Sequence, residues 1–509
     1  MKAKRGLKNI AANYLSQIVT LVLGLLIPQL VMVNLGSESN GLLQSVTNVL
    51  AYLAVLEAGI GTASLQALYS PVSKDDKGAI NRVVSATGRF FRKVGLIYLG
   101  VVIVLAVVFP FTIKSELSYT TIMLTVLLTG LPSVVNYCVQ SKYRILLEAE
   151  GKQYVVTYIS TAIHFVTSFA KIGLLLFGFG IVALQAAFFV LDALKTVILV
   201  IYIRRRYKWL DLSAEPDYQA ISKSRNVLVH QISGLIFNHT DTLLLTWIKG
   251  LAFASVYETY RMLCGMIDTA VGNLFGVDFI LGQTYNSDRE KYMKLHNVYE
   301  LYIMTFSFSL FCVTAVMILP FMKLYVAEVK DAELYIDPRL PLLFVVTYLL
   351  SKGRTACMQA INVAQKFKET EWHAIVEMVI NVVVTVAAVY LWGIYGALIG
   401  TVAALLFRTN AMIIYANRVV LQRSPWVTYR RWLLNIALFT GLYLAGNAVV
   451  SRLVLDGYLK IVLCAAVMTI VVIPVFFAVV SLFDRPTCRY ALSLLKPLLS
   501  RFRKNSSGT

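Results

Sequence analysis

Ala106-Val107-Val108-Phe109-Pro110-Phe111 returns as Val316-Met317-Ile318-Leu319-Pro320-Phe321, an offset of 210 residues. Gly36, which follows a membrane-length run containing Pro28, finds its counterpart in Gly250, 214 residues on. Gly180-Ile181-Val182-Ala183-Leu184 matches Gly393-Ile394-Tyr395-Gly396-Ala397 at 213. Offsets that drift by only a few residues over such a distance mark a duplicated unit. Six apolar spans fit within each copy. An even number brings the chain back to its starting side, so the copies run parallel about a pseudo-twofold axis along the membrane normal.

The composition agrees. Hydrophobic residues make up 58% of 509 positions and charged residues 15%, far from the balance of a soluble chain. Runs long enough to cross roughly 30 Å of hydrocarbon recur throughout. Fourteen spans are predicted, at 9–33, 40–69, 94–113, 118–141, 154–177, 180–203, 226–248, 251–280, 297–322, 340–364, 373–392, 394–417, 432–454 and 458–483. The fold class is therefore an all-α polytopic membrane protein. The expected organisation is a six-helix lobe over 1–208, a cytoplasmic linker at 209–225, a second six-helix lobe over 226–424, two peripheral helices within 425–484 and a basic tail from 485 to 509.

A net charge of +20 suggests nucleic acid until its distribution is read. With the N-terminus inside, 34 of the 47 Lys and Arg fall in the inside segments and 5 outside. This is the positive-inside rule, and it predicts an inner-membrane-type protein with both termini cytoplasmic. The basicity is topology, and no nucleic-acid partner is expected. The tail carries Leu492, Leu495, Leu499 and Phe502 for one face and cations for anionic membrane lipids. The six cysteines have no pairing or metal spacing, and no cofactor motif appears. The Lys-rich start lacks a small-residue cleavage site and reads as the first span.

Several short stretches carry a family resemblance. Leu35-Gly36-Ser37-Glu38-Ser39-Asn40-Gly41-Leu42, Leu56-Glu57-Ala58-Gly59-Ile60-Gly61 and Ala67-Leu68-Tyr69-Ser70-Pro71 stand in the first lobe, with Tyr143-Arg144 to Ala149 after them. Asn238-His239-Thr240-Asp241 and Ser255-Val256-Tyr257-Glu258-Thr259-Tyr260-Arg261-Met262 follow in the second. In order and spacing the chain resembles Wzx-type oligosaccharide-lipid flippases of the multidrug/oligosaccharidyl-lipid/polysaccharide exporter superfamily over roughly residues 10–420. The resemblance implies a MATE-like fold and movement of an undecaprenyl-pyrophosphate-linked oligosaccharide from the cytoplasmic to the outer leaflet by alternating access. It also implies a polysaccharide polymerase and glycosyltransferases as partners.

Ionisable groups inside a membrane are costly and default to functional hypotheses. Of the cations within spans, Lys171, Lys195, Arg261 and Arg408 are read as candidates. Arg261 sits about 15 Å below the outer end of its span at 1.5 Å per residue. Its guanidinium suits a pyrophosphate oxygen pair; the structural alternative is a pair with Glu258, Asp268 or Asp241. Lys171 is either a cavity cation or the neutraliser of Asp192. Lys195 and Arg408 are expected to snorkel to the inner surface. Asp278 and Glu300 read as interfacial charges.

Spans 1, 2, 7 and 8 hold most of the remaining intramembrane polarity, and a wet cavity lined by them is expected. Asn48, Glu57, Asn238, Glu258, Lys171 and Arg261 are the candidate cargo contacts, and Asp241 and Asp268 candidates for ion coupling. A His239–Asp241 relay is not expected, because residues two apart do not share a helix face. Pro28, Pro71, Pro110 and Pro320 are candidate hinges. The rival transporters of the same fold are a lipid II flippase and a cation-coupled small-molecule antiporter, the latter expected to favour carboxylates over a deep arginine. An enzyme is not expected: the longest outside loop has about 17 residues (Lys323 to Arg339), with no phosphate loop, metal cluster or nucleophile triad.

Overall fold

A computed structural model describes residues 21–53, 57, 59–221, 228–274 and 278–494, and among these there is no β-strand. The N-terminal cations, Asn13 and Gln17 of the first span, the end of the linker, and Leu495, Leu499 and Phe502 of the tail lie outside the described residues.

The first helices are α1 (Leu21–Leu35), α2 (Ser37–Tyr52), α3 (Ile60–Ser73) and α4 (Lys77–Thr112). α5 (Tyr119–Val135) passes through a π-turn at Asn136–Gln140 into α6 (Ser141–Ala149), followed by α7 (Gln153–Leu176) and α8 (Ile181–Arg206). α9 (Leu228–Ile248), α10 (Leu251–Leu274), α11 (Asp278–Ser287) and α12 (Arg289–Tyr325) come next. The chain ends in α13 (Leu340–Gly353), α14 (Thr355–Val363), α15 (Phe367–Trp392), α16 (Ile394–Tyr415), α17 (Trp426–Val450) and α18 (Tyr458–Phe483), with helix again at 485–494.

Among the described residues nine helical runs are long and apolar enough to cross a membrane. Their apolar side chains face outward: Val190 of α8 is 61% exposed and Ile470 of α18 72%. Large exposed aliphatic belts of this kind require hydrocarbon as solvent. The protein is a multi-pass membrane protein. The other expected spans coincide with α1, α2 with α3, α9, α10, and α13 with α14, which are shorter, broken or more polar.

The elements repeat with the sequence. Gly36 and Gly250 both adopt positive φ, 83° and 103°, in the short breaks before α2 and α10. A side chain is strained there, which explains glycine at both places. α4 has 36 residues and contains Pro110; α12 has 37 and contains Pro320. Polar caps set the helix starts, with Asp76, Ser118 and Asp288 accepting from the backbone N–H of Ala79, Thr121 and Lys291.

The chain divides into two compact units. The first runs to Glu258 and takes in Glu328–Asp331; the second holds Thr259–Ala327 and the chain from Ala332. One core of the first unit packs Leu68, Val84, Phe91, Leu146 and Leu147, and a second packs Leu42, Val102 and Val126. The segment 207–221 lies against the first of these, with Tyr207 and Ile221 buried. There the Ser85 hydroxyl donates to the Leu212 carbonyl at 3.1 Å, and the Tyr207 hydroxyl to Glu150 at 2.5 Å. Burial and that carboxylate push the Tyr207 phenol well above its ordinary range. In the second unit α12 is central: 78% of its apolar window is buried, against 17% for α17 and α18.

Candidate functional site

In the first unit the intramembrane polar side chains of α2, α9 and the first turns of α10 bond to one another. His239 Nδ1 meets Asn48 Oδ1 at 2.5 Å, and the Asn48 amide donates to Glu258 at 3.1 Å. Thr242 donates to the same Glu258 oxygen. Asn40 donates to Ser255 at 2.7 Å, Ser45 pairs with Thr246 at 2.6 Å, and Tyr52 with Thr240 at 2.7 Å. Asp241 is buried and accepts from the Tyr257 hydroxyl at 2.8 Å, so it and His239 serve different partners, as their spacing requires. Asn238 stands apart, exposed, with its amide on the Gly234 carbonyl at 2.7 Å. Much of the expected cavity polarity is thus spent on holding helices together, the usual use of such groups where water is absent.

Glu57 pairs with Arg144 Nη2 at 3.3 Å. The sequence placed Arg144 in an inside loop; the π-turn carries the helix on to Ala149, which keeps this cation within reach.

Lys171 occupies a cavity of about 320 Å³ between α7 and α8, with Ile27 of α1 at its edge. Ser160, His164, Thr167 and Lys171 recur at helical spacing on one wall, and Phe188, Asp192 and Lys195 on the other. Asp192 is neutralised by Lys195, one turn along its own helix, which favours the cavity-cation alternative for Lys171 and corrects the expected snorkelling of Lys195. The Lys171 ammonium lies 4.8 Å over the Phe188 ring, and among the described residues it makes no ion pair. Two ammonium groups against one carboxylate leave this pocket cationic, which in a low-dielectric setting favours an anion.

In the second unit Arg261 is half-buried on α10, and its carbonyl accepts from the Tyr348 hydroxyl at 2.9 Å. Asp268 pairs with Lys352 at 3.1 Å. Arg408 does not reach the surface: it is 5% exposed, with Nε 3.7 Å from Glu377, which also binds Arg354 at 2.7 Å. Glu300 is not interfacial either. It is fully buried, held by Arg423 at 2.6 Å, by Arg431, and by Thr428 at 2.5 Å. Among the described residues no group of His, Cys, Asp and Glu is arranged to hold a metal ion.

The family described as polysaccharide biosynthesis protein matches residues 7–279, more than half of the chain. The chain belongs to that family. No curated protein matches it. A structure described as lipid II flippase MurJ, inward closed, is similar over 94% of this chain and 99% of that one, with 14% identity and a TM-score of 0.67. An inward-facing MATE family transporter of the MOP superfamily aligns with 79% of this chain and 94% of its own at 15% identity and a TM-score of 0.58. An outward-facing one gives 82%, 96%, 14% and 0.51. At such identities the likeness is one of fold, and the fold of this polysaccharide biosynthesis protein is that of MurJ and the MATE transporters.

The family's sequence pattern left several residues of this polysaccharide biosynthesis protein unread. Tyr257, part of a stretch that carries the resemblance but given no role there, and Tyr52, which did not stand out among 28 tyrosines, join the polar network through their hydroxyls. His164 and Ser160 line the Lys171 cavity. Their spacing to Lys171, at seven and eleven residues, was the available signal for a shared face.

Proposed function

We propose that this protein translocates an undecaprenyl-pyrophosphate-linked oligosaccharide from the cytoplasmic to the outer leaflet of the bacterial inner membrane, for surface polysaccharide assembly. The observation that carries the reading is the cationic Lys171 cavity inside a membrane-spanning member of a polysaccharide biosynthesis family. A diphosphate is the anion that a lipid-linked sugar presents. Its exit from a negative interior is favoured by about 2.3 kcal/mol per charge per 100 mV, so membrane potential suffices to drive export.

In this reading the chain has fourteen spans, as six, six and two, with both termini cytoplasmic. The lobes 1–208 and 226–424 alternate between inward and outward access, 209–225 links them, and helices within 425–484 are peripheral. Lys171 and Arg261 hold the diphosphate; Asn48, Asn238, Glu57 and Glu258 order the remaining headgroup; Asp241 and Asp268 are the groups a coupled proton or sodium ion would engage. The protein acts as a carrier rather than an enzyme, handing its cargo from glycosyltransferases to a polymerase. The net positive Lys171 cavity weighs against export of cationic drugs.

Lipid II is the second cargo to consider, because the likeness to the MurJ structure extends over nearly the whole of both chains. Reconstituted vesicles separate the two. Labelled undecaprenyl-pyrophosphate oligosaccharide should cross in wild type, and Lys171→Met and Arg261→Ala should slow it at least tenfold while remaining folded. Transport of lipid II alone, or full activity in both variants, would sink this assignment. Imposed proton and sodium gradients in the same vesicles test coupling.

A further inference from the structure

A cavity of about 390 Å³ lies between α12, α17 and α18, all in the second unit, at the end where Arg431 meets Asp484. Leu301 of α12, Leu433 and Leu434 of α17, and Val480 and Phe483 of α18 form its apolar wall. Leu433 and Phe483 are 55% and 69% exposed, so the crevice is continuous with the outward face that the two helices turn to hydrocarbon.

Its charges are unequal. Arg431 is engaged by Asp484 and Glu300, and Arg423 completes a set of two guanidiniums and two carboxylates. Arg430 lines the same cavity and is left over: it is exposed, and among the described residues it makes no ion pair or hydrogen bond. Trp426 stands one turn earlier on α17, exposed, and tryptophan marks the boundary between hydrocarbon and headgroups. Arg430 is about 6 Å along the helix from it at 1.5 Å per residue, and an arginine extends back to the headgroup layer from that depth. The Trp426 end of α17 is also the end that the cation asymmetry assigns to the cytoplasm.

An apolar crevice with one free guanidinium at headgroup depth matches a phospholipid, whose phosphate suits that planar fork. A zwitterionic lipid already carries an ammonium beside its phosphate, whereas an anionic one offers Arg430 an uncompensated charge. Basic pockets between membrane helices on the cytoplasmic side take anionic headgroups for this reason. We propose that the crevice seats one anionic phospholipid of the cytoplasmic leaflet, its phosphate on Arg430 and an acyl chain along Leu433, Leu434 and Phe483. Bound there, it fills the wedge between α12 and the last two helices. The inference is independent of what the protein carries.

The test is native mass spectrometry of the delipidated full chain in detergent, titrated with phosphatidylglycerol or with phosphatidylcholine of the same acyl chains. Wild type should retain phosphatidylglycerol under conditions that strip phosphatidylcholine. Arg430→Gln should weaken that retention at least about fivefold, the effect of one cation at an anionic lipid surface. Arg418→Gln, which removes an exposed cation of the π-turn at 416–420 outside the crevice, should not. Leu434→Phe fills the cavity and leaves the charge; it should also displace the lipid, and it serves if Arg430→Gln fails to fold. Equal retention of the two lipids by wild type overturns the proposal, and so does equal loss in Arg430→Gln and Arg418→Gln, which would mark diffuse surface charge only. Displacement of phosphatidylglycerol by undecaprenyl phosphate at lower concentration would give the crevice to a polyprenyl chain and overturn it as well.

Discussion

Arg431 donates through Nη2 to a carboxylate oxygen of Asp484 at 2.7 Å, joining α17 to the residue that ends α18. The same guanidinium reaches Glu300 on α12 through Nη1, and Arg423 donates to the same Glu300 oxygen while Thr428 donates to the other. Two guanidiniums and two carboxylates thus make a neutral buried set that anchors the last two helices to the centre of the second unit.

Removing one member of such a set leaves an uncompensated buried charge, at about 3–5 kcal/mol. Arg431→Met should therefore lower the unfolding temperature in detergent sharply. Asp456→Asn, which breaks the exposed pair with Lys460, should leave it unchanged. Equal effects would mean that the buried set does not anchor α17 and α18.

Acid should weaken the same contact. Burial raises the Asp484 carboxyl, but Arg431 and Thr487 outweigh it and hold the group below its ordinary value of 3.8. A depressed folded-state value contributes stability that is fully present above the unfolded value and is lost as pH falls through the folded one. Wild type should lose thermal stability below about pH 4, more steeply than Asp484→Asn, which has no carboxyl there to protonate. Parallel pH profiles would remove Asp484 as the titrating group.

Gly396-Ala397-Leu398-Ile399-Gly400 on α16 packs directly on the backbone of α15. A Cβ at Gly396 would lie 2.1 Å from the Ala388 carbonyl oxygen, and one at Gly400 2.0 Å from Thr385 Oγ1. Small residues four apart let membrane helices approach this closely. Gly396→Val should cost about 1–3 kcal/mol through overpacking, read as reduced yield of folded protein. Gly441→Ala on α17, where nothing lies within 4 Å, should be silent.

Much of this fold is legible in the sequence because a membrane allows few solutions: period, span length and cation asymmetry each act locally along the chain. Gly36 and Gly250 were readable as a repeated pair, and both take a positive φ. Partner choice is not local. Arg408 had the sequence of a snorkelling residue, but Glu377 lies 31 positions away and only packing of α15 on α16 brings it near. Glu300 looked interfacial for the same reason, since Arg423 and Arg431 approach it from more than a hundred residues downstream. Lys171 could be singled out as a costly cation, and the pairing of Asp192 with Lys195 was legible too, because residues three apart on a helix are neighbours.

Asn48 and Asn238 were equivalent candidates in the sequence, and their surroundings now give opposite expectations. Asn48 accepts from His239 at 2.5 Å and donates to Glu258 at 3.1 Å, so Asn48→Leu strips partners from two intramembrane polar groups. Each loses one hydrogen bond, at about 0.5–3 kcal/mol, and Asn48→Leu should lose thermal stability together with transport. Asn238 is exposed and bonds only within its own helix among the contacts described, to the Gly234 carbonyl. Asn238→Ala should retain the wild-type unfolding temperature. A transport rate reduced in that stable variant then reports cargo contact directly, whereas an unchanged rate would strike Asn238 from the headgroup site and leave the cationic cavity of the first unit as its remaining centre.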